Sequence, residues 1–307
     1  MYNWDDLKFL LAVARHGSTT AAAKAMGISQ STVQRRLVEF ERTLGSRIVV
    51  RHAQGCRLTA LGMELLPLAE DAESAAFAIA RRVAAHGTNL TGTIRLTCPE
   101  AMVDRLARSG LLDAFHARHP GLKVELAMSD RFLDLARGEA DIAIRAGNLT
   151  GDDLIARKLA DSPWALFASS SYVERHGRPA SPNRMNDHIA VDFDGPLREH
   201  RAAIWFRGIA PNVRSIAHNN SIPGLIQAVR AGLGIAPLPV VLGLEHGLIQ
   251  LFEPVPELAT SWYLLVHKDL RNTPRIEAFF DFVAANMATL KPMLNGGPGG
   301  AAPPRAA

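Results

Sequence analysis

Residues Ser29 to Gly45 read SQSTVQRRLVEFERTLG. Val33, Leu37, Phe40 and Leu44 recur at spacings of four, three and four, which predicts a helix with one apolar stripe turned to a core. Gln30, Ser31, Gln34, Arg35 and Arg42 stand on the other face. Ser29 is placed to cap the helix, because its hydroxyl can accept an orphan backbone N–H. Upstream, Gly17 stops a first amphipathic helix built on Phe9, Leu10 and Val13, and Ser18 caps a second, TTAAAKAM, which ends at Gly27. Ile28 is expected as a buried turn residue. Ala23 lets two helices approach, Gly27 makes the turn, and Val33 packs the second helix on the first, which is the spacing of a helix-turn-helix.

The leading end of the third helix is polar, and free N–H groups and the helix dipole favour phosphate there. Gln offers paired groups to adenine and Arg to guanine. Ser29, Gln30, Ser31, Thr32, Gln34 and Arg35 are therefore the candidate DNA-reading residues. RIVVRHAQGCRLT then alternates into two short strands around Ala53-Gln54-Gly55, a wing that can lay Arg51 or Arg57 along a groove or phosphate. Charge agrees. Residues 1–60 hold nine Lys/Arg and four acids, a net +5, whereas the remainder is −1. A basic module on a near-neutral body suits a polyanion. The plainer reading is a three-helix subdomain with a solvated charged face; turn, core spacing, wing and charge together favour DNA.

The run Phe9-x-x-x-Val13, Gly17-Ser18, Ala22-Ala23, Ser29-Gln30-Ser31-x-Val33, Leu44-Gly45, Arg51 and Leu58-Thr59-x-x-Gly62 resembles the winged helix-turn-helix of LysR-type transcriptional regulators. The match covers the first 62 residues densely. Two departures stand out. Ile48-Val49-Val50-Arg51 replaces the family's Leu-Phe-x-Arg, which should only repack the wing base. Gln34 stands where the family often has Ser, on a base-reading position, so an operator sequence does not carry over.

From Thr59 the chain reads as one helix to near Ala85. Leu65, Ala69, Ala72, Ala76, Ile79 and Val83 form a heptad seam along a rod of roughly 40 Å, suited to pairing two copies. The alternative is an alanine-rich helix packed on its own domain. From Thr91, strands (TIRLTCP, LKVELAM, ADIAIRAG, Ala165–Ala168, Ala190–Phe193, Val213–Ala217, Gly234–Leu238, Trp262–Val266) alternate with helices (Met102–Arg118, Leu133–Arg137, Ser221–Ala231, Pro274–Leu290). This predicts mostly parallel sheet with helices on both faces, in two lobes with a cleft between.

HPGLKVEL, GEADIAIRAG, SSYVERHG and AVRAGLGIAPLP resemble the effector domain of the same family, which has the two-lobed fold of periplasmic solute-binding proteins. The resemblance implies crossings between lobes near Asp161–Phe167 and Ser261–His267, and dimerisation, with a tetramer as the usual assembly. The expected architecture is an α+β winged helix-turn-helix over 1–62, a linker helix over 63–88 and an α/β effector domain over 89–294. Lobe I takes 89–163 and 265–294, lobe II takes 164–264, and 295–307 form a Gly/Pro/Ala-rich disordered tail.

Candidate effector residues follow strands or start helices: Thr97, Cys98, Glu100, Ser129 and Arg145 in the first lobe, and Asn219, Asn220, Ser221 and Pro237 in the second. Glu100 can instead occupy the helix-start donors itself.

Catalytic signals are missing. No Gly-x-Ser-x-Gly elbow or Walker loop occurs, and Gly232-Leu233-Gly234 lacks a third glycine. His116 and His119 lie at an exposed helix end, and Cys98 has no assigned base, so no enzyme, metal or cofactor is expected. Two cysteines exclude a disulfide framework. The start MYNWDDLKF carries acids where a signal peptide needs bases, and the longest uncharged apolar stretch, Gly232 to Leu244, is too short to span a bilayer. The expected setting is the cytoplasm, with no membrane. Double-stranded DNA, a small-molecule effector, a second copy of the chain and RNA polymerase are the expected partners. The alternative is a solute-binding-type receptor without sequence-specific DNA binding.

Overall fold

The computed structural model describes residues 3–52, 55–85, 90–128, 133–147 and 153–295 of the 307. The chain divides into two compact units, Met1–Val83 and Ala84–Ala307.

The first unit holds α1 (Asp6–His16), α2 (Thr19–Met26), α3 (Gln30–Leu44), β1 (Val49–His52), β2 (Gly55–Leu58) and most of α4 (Ala60–Ala85). Helices α2 and α3 each start on a serine. Ser18 Oγ accepts from the N–H of Ala21, and Ser29 Oγ accepts from that of Thr32, both at 3.1 Å. Phe9, Val13, Ala22, Ala23, Val33 and Leu37 form one buried cluster, so the three helices close on the stripe that the spacing predicts. Ile28 departs from expectation. Its N–H is tied to the Ala23 carbonyl in the turn, but its side chain is exposed, because that core is already filled by Ala23 and Val33.

The wing is an antiparallel pair in which Val50 faces Arg57 and Arg51 faces Cys56. Glu41 of α3 holds its base: Oε1 accepts the N–H groups of Ile48 and Val49 at 2.9 and 3.0 Å. Ile48 is fully buried with Leu10, Leu11 and Phe40 at the base of the wing. Thr59 joins wing to α4. Its hydroxyl donates to the Arg47 carbonyl at 2.9 Å and accepts from the N–H of Gly62 at 3.1 Å. Gly62 leaves room for that turn, since a Cβ there would stand 2.2 Å from the Ile48 carbonyl oxygen.

The heptad seam of α4 divides. Leu65 and Ala69 pack on the first unit's own core, whereas Ala76 is exposed and Ile79 and Val83 are 67% and 70% exposed.

In the second unit, lobe I is a five-stranded sheet in the order β4 (Leu122–Met128), β3 (Gly92–Cys98), β5 (Ile142–Ala146), β12 (Thr260–His267), β6 (Leu154–Ser162). The sheet is mixed. β3 runs parallel to β4 and β5, but β12 runs antiparallel to β5 and β6, because it returns from the other lobe. Helices α5 (Glu100–Arg108), α6 (Leu111–Arg118), α11 (Pro274–Ala285) and α12 (Met287–Asn295) supply buried residues to its core. The helix expected over Met102–Arg118 is thus two, broken at Gly110, whose φ is +66°. The helix expected over Pro274–Leu290 likewise breaks at Asn286. Leu135 to Gly138 form a turn instead of a helix, closed by the Gly138 N–H on the Leu135 carbonyl at 3.2 Å.

Lobe II contains the antiparallel sheet β10 (Ala236–Pro239), β7 (Trp164–Ala168), β11 (Ile249–Gln250) and the parallel pair β8 (Ile189–Phe193), β9 (Arg214–Asn219). A bridge between Ala190 and Ile235 links the two. Its helices are α7 (Ser170–His176), α8 (Arg201–Ile209), α9 (Ile222–Arg230) and α10 (Val240–Glu245). Only Pro163 separates β6 of lobe I from β7 of lobe II, and Thr260 pairs with Ser162 where β12 returns. Of the tail expected over 295–307, Asn295 ends α12 and 296–307 lie outside the described residues.

Candidate nucleic-acid interface and effector site

On α3, Ser31, Arg35, Val38 and Arg42 are exposed and share one stripe opposite Val33, Leu37 and Phe40. Ser29 and Thr32 serve the cap: their hydroxyls lie 2.8 Å apart, and Ser29 Oγ is 2.9 Å from Ser31 Oγ. Gln30 is exposed, yet its amide donates to Thr19 Oγ1 at 3.2 Å. Gln34 is half-buried, and its amide reaches the same hydroxyl at 3.5 Å. Thr19 thus orients both glutamines along the leading edge of α3. Arg51 and Arg57 are exposed on the wing. The spacing of Val38 excludes it from the core stripe, and its side chain is exposed.

α3 is held from behind by Arg36, whose Nη2 lies 3.0 Å from Asp6 Oδ1 and whose guanidinium sits over the Phe9 ring, 5.6 Å from its centroid. Burial pushes the Asp6 carboxyl above its ordinary pKa, against the pull of Arg36.

In lobe I, Thr97 and Arg145 meet. Both are buried, on neighbouring strands β3 and β5, and Arg145 Nη2 donates to Thr97 Oγ1 at 3.0 Å. Cys98 points the other way. Strand alternation puts it with Ile94 and Leu96 in the lobe I core, fully buried, so Thr97 and Cys98 share no pocket. Glu100 is the exposed first residue of α5, after Pro99. Ser129 lies outside the described residues.

In lobe II, Asn219 ends β9, Asn220 is exposed, and Ser221 caps α9 by accepting the Gly224 N–H at 3.2 Å. Pro237 sits inside β10, buried and paired with Leu166, instead of following a strand. The lobes face each other through α5 and α9, with Ala101 packed on the cluster that contains Leu225 and Ile226. Behind that contact, Arg105 of α5 pairs with Glu245 of α10 at 2.9 Å.

His116 is a structural acceptor, its Nε2 taking the Val124 N–H at 3.2 Å. Among the described residues no group of three or more His, Cys, Asp or Glu could hold a metal ion. None of the described helices is long and apolar enough to cross a membrane.

Fold and site together define a winged helix-turn-helix protein with a two-lobed sensor domain. The family described as LysR substrate binding domain matches residues 87–288, and that described as bacterial regulatory helix-turn-helix protein, lysR family, matches residues 4–63. An HTH-type transcriptional regulator of Xanthomonas campestris pv. campestris is 32% identical over 208 residues, 65% of this chain and 57% of that relative. The probable HTH-type transcriptional regulator LtrA of Klebsiella pneumoniae is 26% identical over 301 residues, 95% of this chain and 96% of its own. The full-length structure of the Vibrio cholerae virulence activator AphB, a member of the LTTR protein family, superposes with a TM-score of 0.58 at 23% identity, covering 92% of this chain and 99% of that one. The chain belongs to the LysR family of transcriptional regulators: a helix-turn-helix DNA-binding domain followed by an effector-binding domain.

Proposed function

We propose that the leading edge of α3, through Gln30, Ser31, Gln34 and Arg35, reads base edges in a major groove, while Arg51 and Arg57 of the wing hold phosphate or minor groove. The observation that carries this is the exposed stripe of α3, polar at its leading end and backed by a fully buried opposite stripe. Ser29 and Thr32 act through the cap, and Thr19 acts through the two glutamines it holds. Two copies pair through the second half of α4, where the exposed Ile79 and Val83 offer the apolar surface, giving a homodimer or a tetramer of such pairs.

A small-molecule effector binds between the lobes, near Thr97, Arg145 and the first turns of α5 and α9. Its binding alters lobe closure and thereby DNA bending or contact with RNA polymerase. The protein acts in the cytoplasm and performs no catalysis.

Selection of genomic fragments by the purified chain tests the DNA reading. Recovery of a defined site, its loss in Arg35→Ala, and a salt slope reduced by about one in Arg51→Ala support it. Equal retention of all fragments counts against it. A metabolite panel that never raises the thermal midpoint of the full chain counts against the effector cleft.

A further inference from the structure

Val38 is an aliphatic side chain, 58% exposed, on the same stripe as Ser31, Arg35 and Arg42. Residues 31, 35, 38 and 42 follow one another at spacings of four, three and four, so they line one face of α3. Val33, Leu37 and Phe40 occupy the buried face, and packing within the module therefore does not account for Val38. An arginine stands one turn before it and another one turn after it. Both are suited to a polyanion, so the surface that meets them also meets Val38.

Every edge in a major groove carries hydrogen-bond donors or acceptors, which a valine cannot use. The one apolar feature is the C5-methyl of thymine. Valine is branched at Cβ and strongly prefers one χ1 rotamer in a helix, so it presents its two methyl groups from a nearly fixed position. Val38 lies three residues beyond Arg35, about 4.5 Å along the helix axis, close to the rise of one to two base pairs.

We infer that Val38 is a specificity-determining residue that packs against a thymine methyl in each half-site, within about two base pairs of the position reached by Arg35. The inference rests on α3 reading the major groove. It adds an apolar readout that the polar residues of the same face cannot supply.

The test uses the full chain and a duplex that it recovers from a random library. Each thymine of a half-site is replaced in turn by uracil, which lacks only the methyl group. One replacement per half-site is expected to weaken binding about fourfold, the effect of one buried carbon. Val38→Ala, which leaves the core untouched, is expected to bind the thymine and uracil duplexes equally and to lose the base preference there on reselection. The contact is overturned when no uracil duplex binds more weakly than its parent. It is equally overturned when Val38→Ala keeps the thymine-to-uracil ratio of the wild type. Failure to recover any duplex overturns both this contact and the groove reading beneath it, whereas a recovered duplex without a methyl effect overturns the contact alone.

Discussion

The backbone N–H of Cys56 donates to the carbonyl of Gly17 at 2.6 Å, tying the second wing strand to the turn between α1 and α2. The wing is thereby fixed to the helices that carry α3, not only to its own hairpin partner. Gly55, the residue before, has φ +141°, and a Cβ there would stand 2.3 Å from the same Gly17 oxygen. Gly17 also has a positive φ, +68°, but open space around it. Gly55→Ala must therefore both adopt a backbone conformation that costs about 1–3 kcal/mol and push the wing off the turn. It is expected to lower the stability of the DNA-binding unit by more than about 2 kcal/mol. Gly17→Ala should cost only about 1–2 kcal/mol. Chemical denaturation of both variants checks the order; a Gly55→Ala protein as stable as Gly17→Ala contradicts the wing anchor.

Arg105 and Glu245 join the lobes through a pair whose side chains are 3% and 22% exposed. Arg108 stands 3.7 Å from the same carboxylate. Glu245→Gln leaves the Arg105 cation buried without its counter-charge, and that asymmetry matters more than the attraction itself. With the carboxylate partly solvated, the expected loss is about 1–3 kcal/mol, less than for a fully buried pair. The double variant Arg105→Met with Glu245→Leu should recover part of it, since no charge is then stranded. Thermal unfolding of the full chain reads both; a double variant worse than Glu245→Gln would sink this account.

Local rules made the first unit readable. Ser18 and Ser29 cap, Gly17, Gly27 and Gly45 terminate, and Val33, Leu37 and Phe40 repeat at helical spacing, so each element is decided by residues within one or two turns. β6 is different. Residues 155–158 are all exposed, so no alternation marks the strand, and its place depends on pairing with β12 a hundred residues away. That same distant strand makes the sheet mixed. The break between α5 and α6 was signalled by Ser109-Gly110, but the apolar residues continue across it and mimic one helix. At the effector site, Thr97 and Cys98 are adjacent in sequence and opposite in space, whereas Thr97 and Arg145 are 48 residues apart and hydrogen-bonded. Which face of a strand is core is a tertiary fact, so the residue types could be named but not their grouping.

His200 is half-buried in lobe II, its ring 5.0 Å from that of Trp164 and stacked 6.1 Å from that of Phe193, with Nδ1 accepting the Ala202 N–H at 3.2 Å. Burial first, and the neighbouring Arg201 second, hold its pKa below the ordinary 6.5. Burial also lowers His188 and His246. Well above pH 6.5 these rings are neutral in both folded and unfolded chain, and their contribution to stability is complete. Below it the unfolded chain takes up protons first, so stability is lost as pH falls through the folded values, at up to about 1.4 kcal/mol per pH unit for each whole proton. The thermal midpoint of the effector domain is expected to fall as the pH drops below 6.5 towards the lowered folded values. His200→Asn retains a capping side chain and loses the stacking, so it should lower the midpoint throughout and flatten that fall. An unchanged pH slope in His200→Asn would show that the ring is not among the groups responsible.

Asp6 predicts the opposite slope for the DNA-binding unit. Its carboxyl is buried at the start of α1, 3.0 Å from Arg36, and desolvation outweighs the arginine in setting its pKa above 3.8. Between 3.8 and the raised folded value the native state holds more protons than the unfolded chain, so stability from this group grows as pH falls through that window. At neutral pH the ionised group carries its desolvation penalty in full. Asp6→Asn removes the penalty, keeps a polar oxygen facing Arg36, and leaves Arg36 supported by the Phe9 ring and partly by water. The expected result at pH 7 is a stability unchanged or raised by up to about 1 kcal/mol, with the acid-side gain abolished. A loss beyond about 2 kcal/mol would mean that the attraction of Arg36 exceeds desolvation, and that the ion pair, not the apolar stripe of α3, is what holds α3 to α1.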